Sequence, residues 1–175
     1  MKKITPDNYY EPDETIKLFG AVNYETREQW SVTEVDILNF VAKIEIDVSV
    51  PNDIVELIET SKALFAYGYL YWTFFTLAQE QIFKAFEAAI SHAHTCVYGH
   101  NCNSKGKKLQ LSDMIQRLIV KGNLLKENKM KYDSIRNLRN MSFHPSMQSQ
   151  VGFLSYDIIK SVVDDINSLL KSVYK

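Results

Sequence analysis

Glycine and proline are scarce in this chain, which has six glycines and four prolines among its 175 residues. Both residues are favoured in the tight turns that an all-β protein needs in large number. Their scarcity therefore argues against a turn-rich β architecture and favours long regular elements. Hydrophobic residues make up 46% of the chain and charged residues 23%, which is typical of a soluble globular domain with one core.

Cysteine is also rare. The two cysteines, Cys96 and Cys102, lie six positions apart, whereas small secreted proteins use several cysteines as a disulfide framework. The first residues, MKKITPDNYYEPDE, contain no apolar stretch of the kind found in a secretory signal. We therefore expect a cytoplasmic protein.

No uncharged run reaches the length of a typical membrane-spanning helix, which needs about 20 apolar residues. The longest such run, ALFAYGYLYWTFFTLAQ at residues 63–79, contains Gly68 and two threonines and continues into an amphipathic sequence. We interpret it as a buried helix of the core or of a dimer interface, and we expect no membrane partner.

Charge is distributed unevenly, although the net charge is −1. Residues 1–60 carry five basic and thirteen acidic side chains, whereas residues 105–139 carry ten basic and three acidic ones. A basic segment of this kind can bind a polyanion such as RNA. The alternative is a solvated surface that the acidic N-terminal part balances.

Apolar residues recur at helical spacing along most of the chain. The pattern predicts an irregular arm over residues 1–30 and helices over about 33–46, 53–97, 112–122, 127–143 and 153–173. The segment 53–97 is either one helix or two helices joined near Thr60–Ser61. The sequence KIEIDVSV, residues 43–50, also alternates with period two, so a short strand is the alternative there.

These elements predict an all-α fold, an up-and-down four-helix bundle with an N-terminal extension. Residues 1–50 would form the N-terminal arm and first helix. Residues 51–175 would form the helical bundle.

A polar cluster, RNLRNMSFHP, ends the helix predicted over residues 127–143. At 100° per residue, Arg139 projects within the apolar arc of this helix, where an arginine is costly unless it is paired or faces a cleft or a partner. Arg136 lies near the edge of that arc, and Asn140 lies one turn beyond Arg136. His144 precedes Pro145, which disfavours helical geometry and leaves the imidazole at the helix end.

An arginine and a histidine suit phosphodiester chemistry. A guanidinium is permanently charged and binds two phosphate oxygens, and an imidazole transfers protons near neutral pH. RNA supplies its own nucleophile, the 2′-hydroxyl, so no metal is required. The structural alternative is that Arg139 pairs with a carboxylate or a helix C-terminus, while His144 complements the helix dipole.

The sequence RNMSFH, residues 139–144, resembles the signature of the HEPN domain family: an arginine, a polar residue that is often asparagine, and a histidine four to six positions after the arginine. The resemblance extends over about residues 60–174, where a long helix comes first, the motif-bearing helix comes late and an amphipathic helix follows. It implies a HEPN-like helical bundle.

The resemblance also implies function, since many HEPN proteins are metal-independent ribonucleases that act as toxins or antiviral effectors. Arg139, Asn140 and His144 occupy the motif positions and are the expected catalytic residues. Arg139 would hold the scissile phosphate, His144 would act as general base or acid, and Asn140 would orient one of them. We expect Arg136, Lys129 and Lys131, with the rest of the basic segment, to bind RNA.

The resemblance implies partners as well. HEPN proteins dimerise so that two motifs share one cleft, so a homodimer and an antitoxin or regulatory protein are expected. In one toxin group an antitoxin modifies a tyrosine two residues after the histidine; Ser146 stands there in this chain. Other family members are non-catalytic modules that bind nucleotides or proteins, and this is the alternative function.

Three of the four histidines and both cysteines lie in HAHTCVYGHNC, residues 92–102. Two cysteines and two histidines can hold zinc, and the four candidates are His92 (or His94), Cys96, His100 and Cys102. Their spacing matches no standard zinc motif, so we expect no metal cofactor. The alternatives are a zinc-stabilised regulatory protein and an ordinary helix end with reduced cysteines.

Overall fold

The computed structural model of the chain describes residues 2–18, 20–22, 25–142 and 152–174. Most of these residues lie in six α-helices: α1 (Glu34–Ala42), α2 (Asn52–Tyr67), α3 (Thr73–Tyr98), α4 (Leu111–Lys121), α5 (Lys129–Ser142) and α6 (Ser155–Val173). The prediction of a mainly helical protein is confirmed. Two short strands, β1 (Gly20–Val22) and β2 (Gln29–Ser31), pair as an antiparallel hairpin that the sequence analysis did not predict.

Helix α1 begins at a capping box, as the polar residues before it predict. The Thr33 hydroxyl accepts the Asp36 N–H, and the Asp36 carboxylate accepts the Thr33 N–H. The helix ends at Ala42, before the predicted end near residue 46. The fully described segment 43–50 contains no strand, because the Asp47 carboxylate accepts the N–H of Ser49 and closes a turn there.

The long predicted segment 53–97 is two helices, α2 and α3. The break lies at residues 68–72 and not near Thr60–Ser61, which continue α2. A Cβ at Gly68 would lie 2.6 Å from the ring of Phe75, so the two helices approach each other closely at this glycine. The uncharged run 63–79 is therefore divided between two helices. In the part of the chain that the structure describes, no helix is long and apolar enough to cross a membrane.

Helix α3 is the central element, and it packs against α2, α4, α5 and α6. Four phenylalanines form the middle of the core with almost no exposed surface: Phe65, Phe75, Phe83 and Phe86. The N-terminal part contributes to the same core through Ile16, Val32, Ile37, Ile44 and Val50. The residues before α2 therefore belong to the same hydrophobic core as the later helices.

Helix α5 lies with its apolar side toward α3 and α6. Tyr132 and Ile135 are buried there. At the edge of this contact Lys131 forms an ion pair with Asp165 of α6 and donates a hydrogen bond to the Ser161 carbonyl. Burial raises the pKa of Asp165 above its usual value, although the Lys131 ammonium opposes this shift.

Candidate functional site

A cleft of about 680 Å³ lies where α3, the start of α4 and the end of α5 meet. Its volume is within the usual range for small-molecule sites. Four cationic side chains and one carboxylate line it: Lys84, Lys108, Arg136, Arg139 and Glu87. The remaining lining residues are Ala88, Ser91, Leu109, Gln110, Leu111, Ser112, Met114 and Asn140.

Arg139 projects from α5 toward α3, where its Nη2 lies 2.9 Å from Oε2 of Glu87. Both side chains are partly exposed, at 38% and 40%, so the pair lies on the cleft wall and not in the core. Arg139 also donates a hydrogen bond to Oδ1 of Asn140 at 3.3 Å. An arginine on the apolar arc was expected to be paired or to face a cleft. Arg139 does both, because it pairs with Glu87 and lines the cleft.

Arg136 lines the cleft one turn before Arg139. Its Nη2 lies 3.8 Å from a carboxylate oxygen of Asp133, a long contact between partly exposed groups that contributes little stability. The structure therefore brings three predicted site residues, Arg136, Arg139 and Asn140, into one cleft. The remaining motif residue, His144, and the adjacent Pro145 lie outside the described residues.

The basic segment contributes less to the cleft than its composition suggested. Among the ten basic residues of segment 105–139, three line it, Lys108, Arg136 and Arg139, and of the three lysines and arginines named for RNA binding only Arg136 does so. Lys129 is exposed elsewhere on α5, and Lys131 is held by Asp165. A role for these two lysines in binding RNA stays a prediction, and it would require RNA to extend beyond the cleft.

Lys108 reaches the cleft because a short loop folds back onto α3. Gly99 ends α3 in the left-handed conformation, with φ of 77°. Cys102 and Lys108 then pair as an isolated β-bridge, and the Leu109 N–H donates to the Asn101 carbonyl. The loop thereby leads directly into the first turn of α4, whose N–H groups carry partial positive charge.

Asn101 anchors this loop to α3. Its Nδ2 donates to the Ser91 hydroxyl at 2.9 Å and to the Ser91 carbonyl at 3.1 Å. Its Oδ1 therefore accepts from Nδ1 of His94 at 2.8 Å. His94 is fully buried and its ring stacks on Tyr98. This network fixes Ser91 at the cleft wall.

The four zinc candidates are not assembled into a site. Among residues 2–18, 20–22, 25–142 and 152–174 no group of three histidine, cysteine or acidic side chains could hold a metal ion. His92 contacts the Tyr174 hydroxyl at 2.6 Å, and the His100 ring accepts a weak hydrogen bond from the Cys102 N–H. Both cysteines are free thiols. The HAHTCVYGHNC segment here ends α3 and anchors the loop.

Sequence reasoning missed two residues of the cleft, Lys84 and Glu87 of α3. Both are charged residues within FTLAQEQIFKAFEAAI, residues 75–90, whose other residues are mostly apolar. The helical period places Lys84 on the face of α3 opposite Ile82 and Phe86, and Glu87 at the edge of the buried face, about 40° from Phe83. The contact of Glu87 with Arg139 of α5 could not be read from the sequence, because it joins residues 52 positions apart.

The cleft concentrates positive charge around a space of ligand size. Cationic side chains on two helices and one loop converge there, and the α4 N-terminus adds partial positive charge. Such an arrangement can bind phosphate groups, and the arginines can do so through paired hydrogen bonds. No family model matches the chain, and no curated protein or solved structure is significantly similar to it. Function is therefore inferred from the residues of the cleft and the motif.

Proposed function

We propose that the chain is a metal-independent endoribonuclease of HEPN type, and that the cleft between α3, α4 and α5 binds the RNA backbone. The observation that carries this proposal is the convergence of Arg136, Arg139 and Asn140 with Lys84 and Lys108 around one space. The Arg139–His144 spacing of the HEPN signature supplies the catalytic assignment.

The finer architecture belongs to the same proposal. Helices α2, α3, α5 and α6 would be the four helices of an up-and-down HEPN-like bundle, with α1 and the hairpin as the N-terminal extension. The packing of α3 against α2, α5 and α6 supports this interpretation. Fold alone does not separate a ribonuclease from a binding module, because both occur on the same scaffold.

The chemistry would be an internal transesterification. His144, as general base, removes the proton of the ribose 2′-hydroxyl, and the 2′-oxygen attacks the adjacent phosphorus. The bond to the 5′-oxygen of the next nucleotide breaks, and this oxygen takes up a proton. The products are a 2′,3′-cyclic phosphate end and a free 5′-hydroxyl.

The role of Arg139 would be electrostatic. The phosphate gains negative charge in the transition state, and a guanidinium next to it lowers the barrier. Glu87 would hold the Arg139 guanidinium at the cleft wall through their 2.9 Å contact. Arg136, Lys84 and Lys108 would bind flanking phosphates, which makes RNA binding salt-sensitive.

A homodimer completes the proposal, since the resemblance implies that two motifs share one cleft. The resemblance implies a toxin or antiviral effector that an antitoxin or another protein regulates, and the cysteine content and N-terminal sequence favour a cytoplasmic location.

One observation favours a second candidate, a non-catalytic HEPN-like module that binds nucleotides. Arg139 is paired with a carboxylate, as the structural alternative predicted, and the cleft has the volume of a small-molecule site. Such a module would bind RNA or nucleotides in a salt-dependent way and leave RNA intact.

The test uses purified protein and single-stranded RNA in the presence of EDTA. The proposal predicts fragments with 2′,3′-cyclic phosphate ends, detected by mass spectrometry, and resistance of RNA that carries a 2′-deoxy substitution at the cut site. Salt-dependent binding without cleavage across substrates of varied sequence would favour the second candidate. Cleavage of the 2′-deoxy substrate at an equal rate would contradict the proposed chemistry.

A further inference from the structure

A second pocket lies at the opposite end of α3 from the Asn101 loop, between the N-terminal arm and the α2–α3 junction. Its volume is about 420 Å³. Five of its eight lining residues are aromatic: Tyr9, Tyr10, Tyr67, Tyr71 and Phe74. Ile4 and Leu70 add apolar surface, and Lys2 is the one charged lining residue. Neither the motif nor the proposed chemistry makes use of this pocket.

The rings of the pocket face solvent to an unusual degree. Tyr10 is 82% exposed, Tyr67 58% and Tyr9 54%. Tyr9 and Tyr10 meet edge to face at 4.8 Å, and Tyr71 meets Phe74 at 5.3 Å. Large aromatic side chains gain free energy from burial, so a group of exposed rings around one concavity indicates a surface that a ligand covers.

The arm that carries Tyr9 and Tyr10 is held in place by its own hydrogen bonds. Asn8 accepts the Thr5 N–H at 2.8 Å and donates to the Lys3 carbonyl at 2.9 Å. Lys2 donates to the carbonyls of Leu70 and Glu11 and so ties the arm to the α2–α3 junction. The pocket is thus preformed, which lowers the entropic cost of binding.

The chemistry of the lining favours a flat, partly polar ring. Aromatic faces provide stacking surface, while four phenolic hydroxyls and an ammonium provide hydrogen-bonding groups for the edge of a ring. Nucleobases have both properties, and proteins bind single-stranded nucleic acid by stacking bases on aromatic side chains.

The pocket and the cationic cleft lie along one solvent-facing stripe of α3. Phe74, Leu77, Gln81 and Lys84 follow one another at steps of three and four residues, and each is exposed or half-buried. Phe74 lines the pocket and Lys84 lines the cleft. Ten residues of α-helix separate them by about 15 Å, a distance that a short stretch of single-stranded RNA can span.

We propose that the aromatic pocket binds a nucleobase of single-stranded RNA whose phosphates lie in the cleft. The role of this site in RNA binding rests on the proposed function. Its ability to bind an uncharged base does not depend on that function. Because stacking involves no phosphate, binding of a base to the pocket is independent of salt, whereas binding to the cleft weakens steeply with salt.

The first experiment uses adenosine, an uncharged nucleoside, and the full chain. Saturation-transfer NMR should show saturable binding that is equal at low and high salt. Tyr10→Ala removes a largely exposed ring at little risk to the fold, and it should weaken binding roughly fivefold or more. Tyr174→Ala, at the end of α6, is the matched control and should leave binding unchanged.

The second experiment measures binding of a single-stranded oligoadenylate by fluorescence anisotropy. Tyr10→Ala should weaken binding with an unchanged salt dependence, whereas Arg136→Ala should reduce the salt dependence and leave adenosine binding intact. Adenosine binding without any RNA binding would contradict the cleft proposal and retain the pocket as a nucleobase site.

Any of three results would overturn the proposal. One is the absence of saturable adenosine binding, even if RNA binds the cleft. Another is displacement of adenosine by a proline-rich peptide that binds more tightly, because such peptides also dock on aromatic surfaces. A Tyr67→Ala protein that binds adenosine as well as the wild type, together with an unaffected Tyr10→Ala protein, would place the nucleoside elsewhere.

Discussion

At the scale of single residues, the contact between Arg139 and Glu87 joins the two helices that form the cleft. The carboxylate holds the guanidinium in one position, and it also opposes the approach of a phosphate. These two effects act on different quantities. In the proposed ribonuclease, positioning would affect the rate of the chemical step, whereas local charge would affect the affinity for RNA.

Glu87→Gln separates the two effects. Removing one negative charge from the cleft should strengthen RNA binding by about 1 kcal/mol, roughly fivefold at low salt. The cleavage rate at saturating RNA should fall, because Arg139 loses its charged partner. Anisotropy and single-turnover cleavage measure the two quantities. Glu59→Gln, which removes an exposed carboxylate from α2, is the control; equal effects of both substitutions would contradict a specific role for Glu87.

Asp13 is a second residue with a distinct role, because it ties the N-terminal arm to the start of α3. It is 2% exposed. Burial disfavours its charge, but hydrogen bonds from the Trp72 and Thr15 N–H groups and the Thr15 side chain outweigh burial and lower the pKa of Asp13 below 3.8. A carboxyl group whose pKa is lower in the folded state stabilises the fold at pH values above its unfolded-state pKa. This contribution is lost as the pH falls through the folded-state pKa.

Asp13→Ala should therefore lower the free energy of unfolding at pH 7 by about 1.5–3 kcal/mol, the usual contribution of hydrogen bonds to a charged group. The difference from the wild type should shrink as the pH falls below about 4. Urea unfolding at pH 7 and pH 3 measures both values, with the exposed Asp7→Ala as control. A difference that grows on acidification would contradict this account of Asp13.

At the scale of elements, the start of α6 depends on one glycine. Gly152 has φ of 51°, and a Cβ there would lie 2.0 Å from the ring of Trp72 in the α2–α3 junction. The backbone conformation and the close approach both require glycine. The α2–α3 junction thus contacts the arm through Asp13 and the start of α6 through Trp72.

Gly152→Ala should lower the free energy of unfolding by more than the conformational cost of placing alanine at a positive φ. Gly106→Ala is a matched control, because Gly106 has φ of 73° and no atom within 4 Å of its ideal Cβ. Both substitutions carry the conformational cost, about 1 kcal/mol, and Gly152→Ala adds about 1–3 kcal/mol of overpacking. Thermal unfolding compares them; equal melting temperatures would show that Trp72 moves aside without cost.

Periodicity located the helices, but the junctions between them depended on distant contacts. At the break over residues 68–72, the Trp72 N–H donates to Asp13, which lies 59 positions earlier and does not show in the local pattern. Arg139 was predicted to be paired or to face a cleft because its position conflicts with the apolar arc. Its partner Glu87 and the cleft-lining Lys84 could not be predicted, because tertiary packing alone brings α3 and α5 together.

At the scale of the whole molecule, the proposed dimer makes a direct prediction. The HEPN resemblance implies that two motifs share one cleft. The protein should have the mass of a dimer at micromolar concentration by light scattering. A monomeric mass at high concentration and low salt would contradict the shared cleft.

The central claim is that the chain cleaves RNA with Arg139, which lines the cationic cleft, and with His144 of the same motif. The most direct test compares the single-turnover cleavage rates of the wild type, His144→Ala and His100→Ala in EDTA. His100 is an exposed histidine of the α3–α4 loop and serves as the control. Loss of a general acid–base group predicts a decrease of about 100-fold or more for His144→Ala, with unchanged melting temperature and unchanged His100→Ala activity. A His144→Ala protein that cuts RNA at the wild-type rate would contradict the claim.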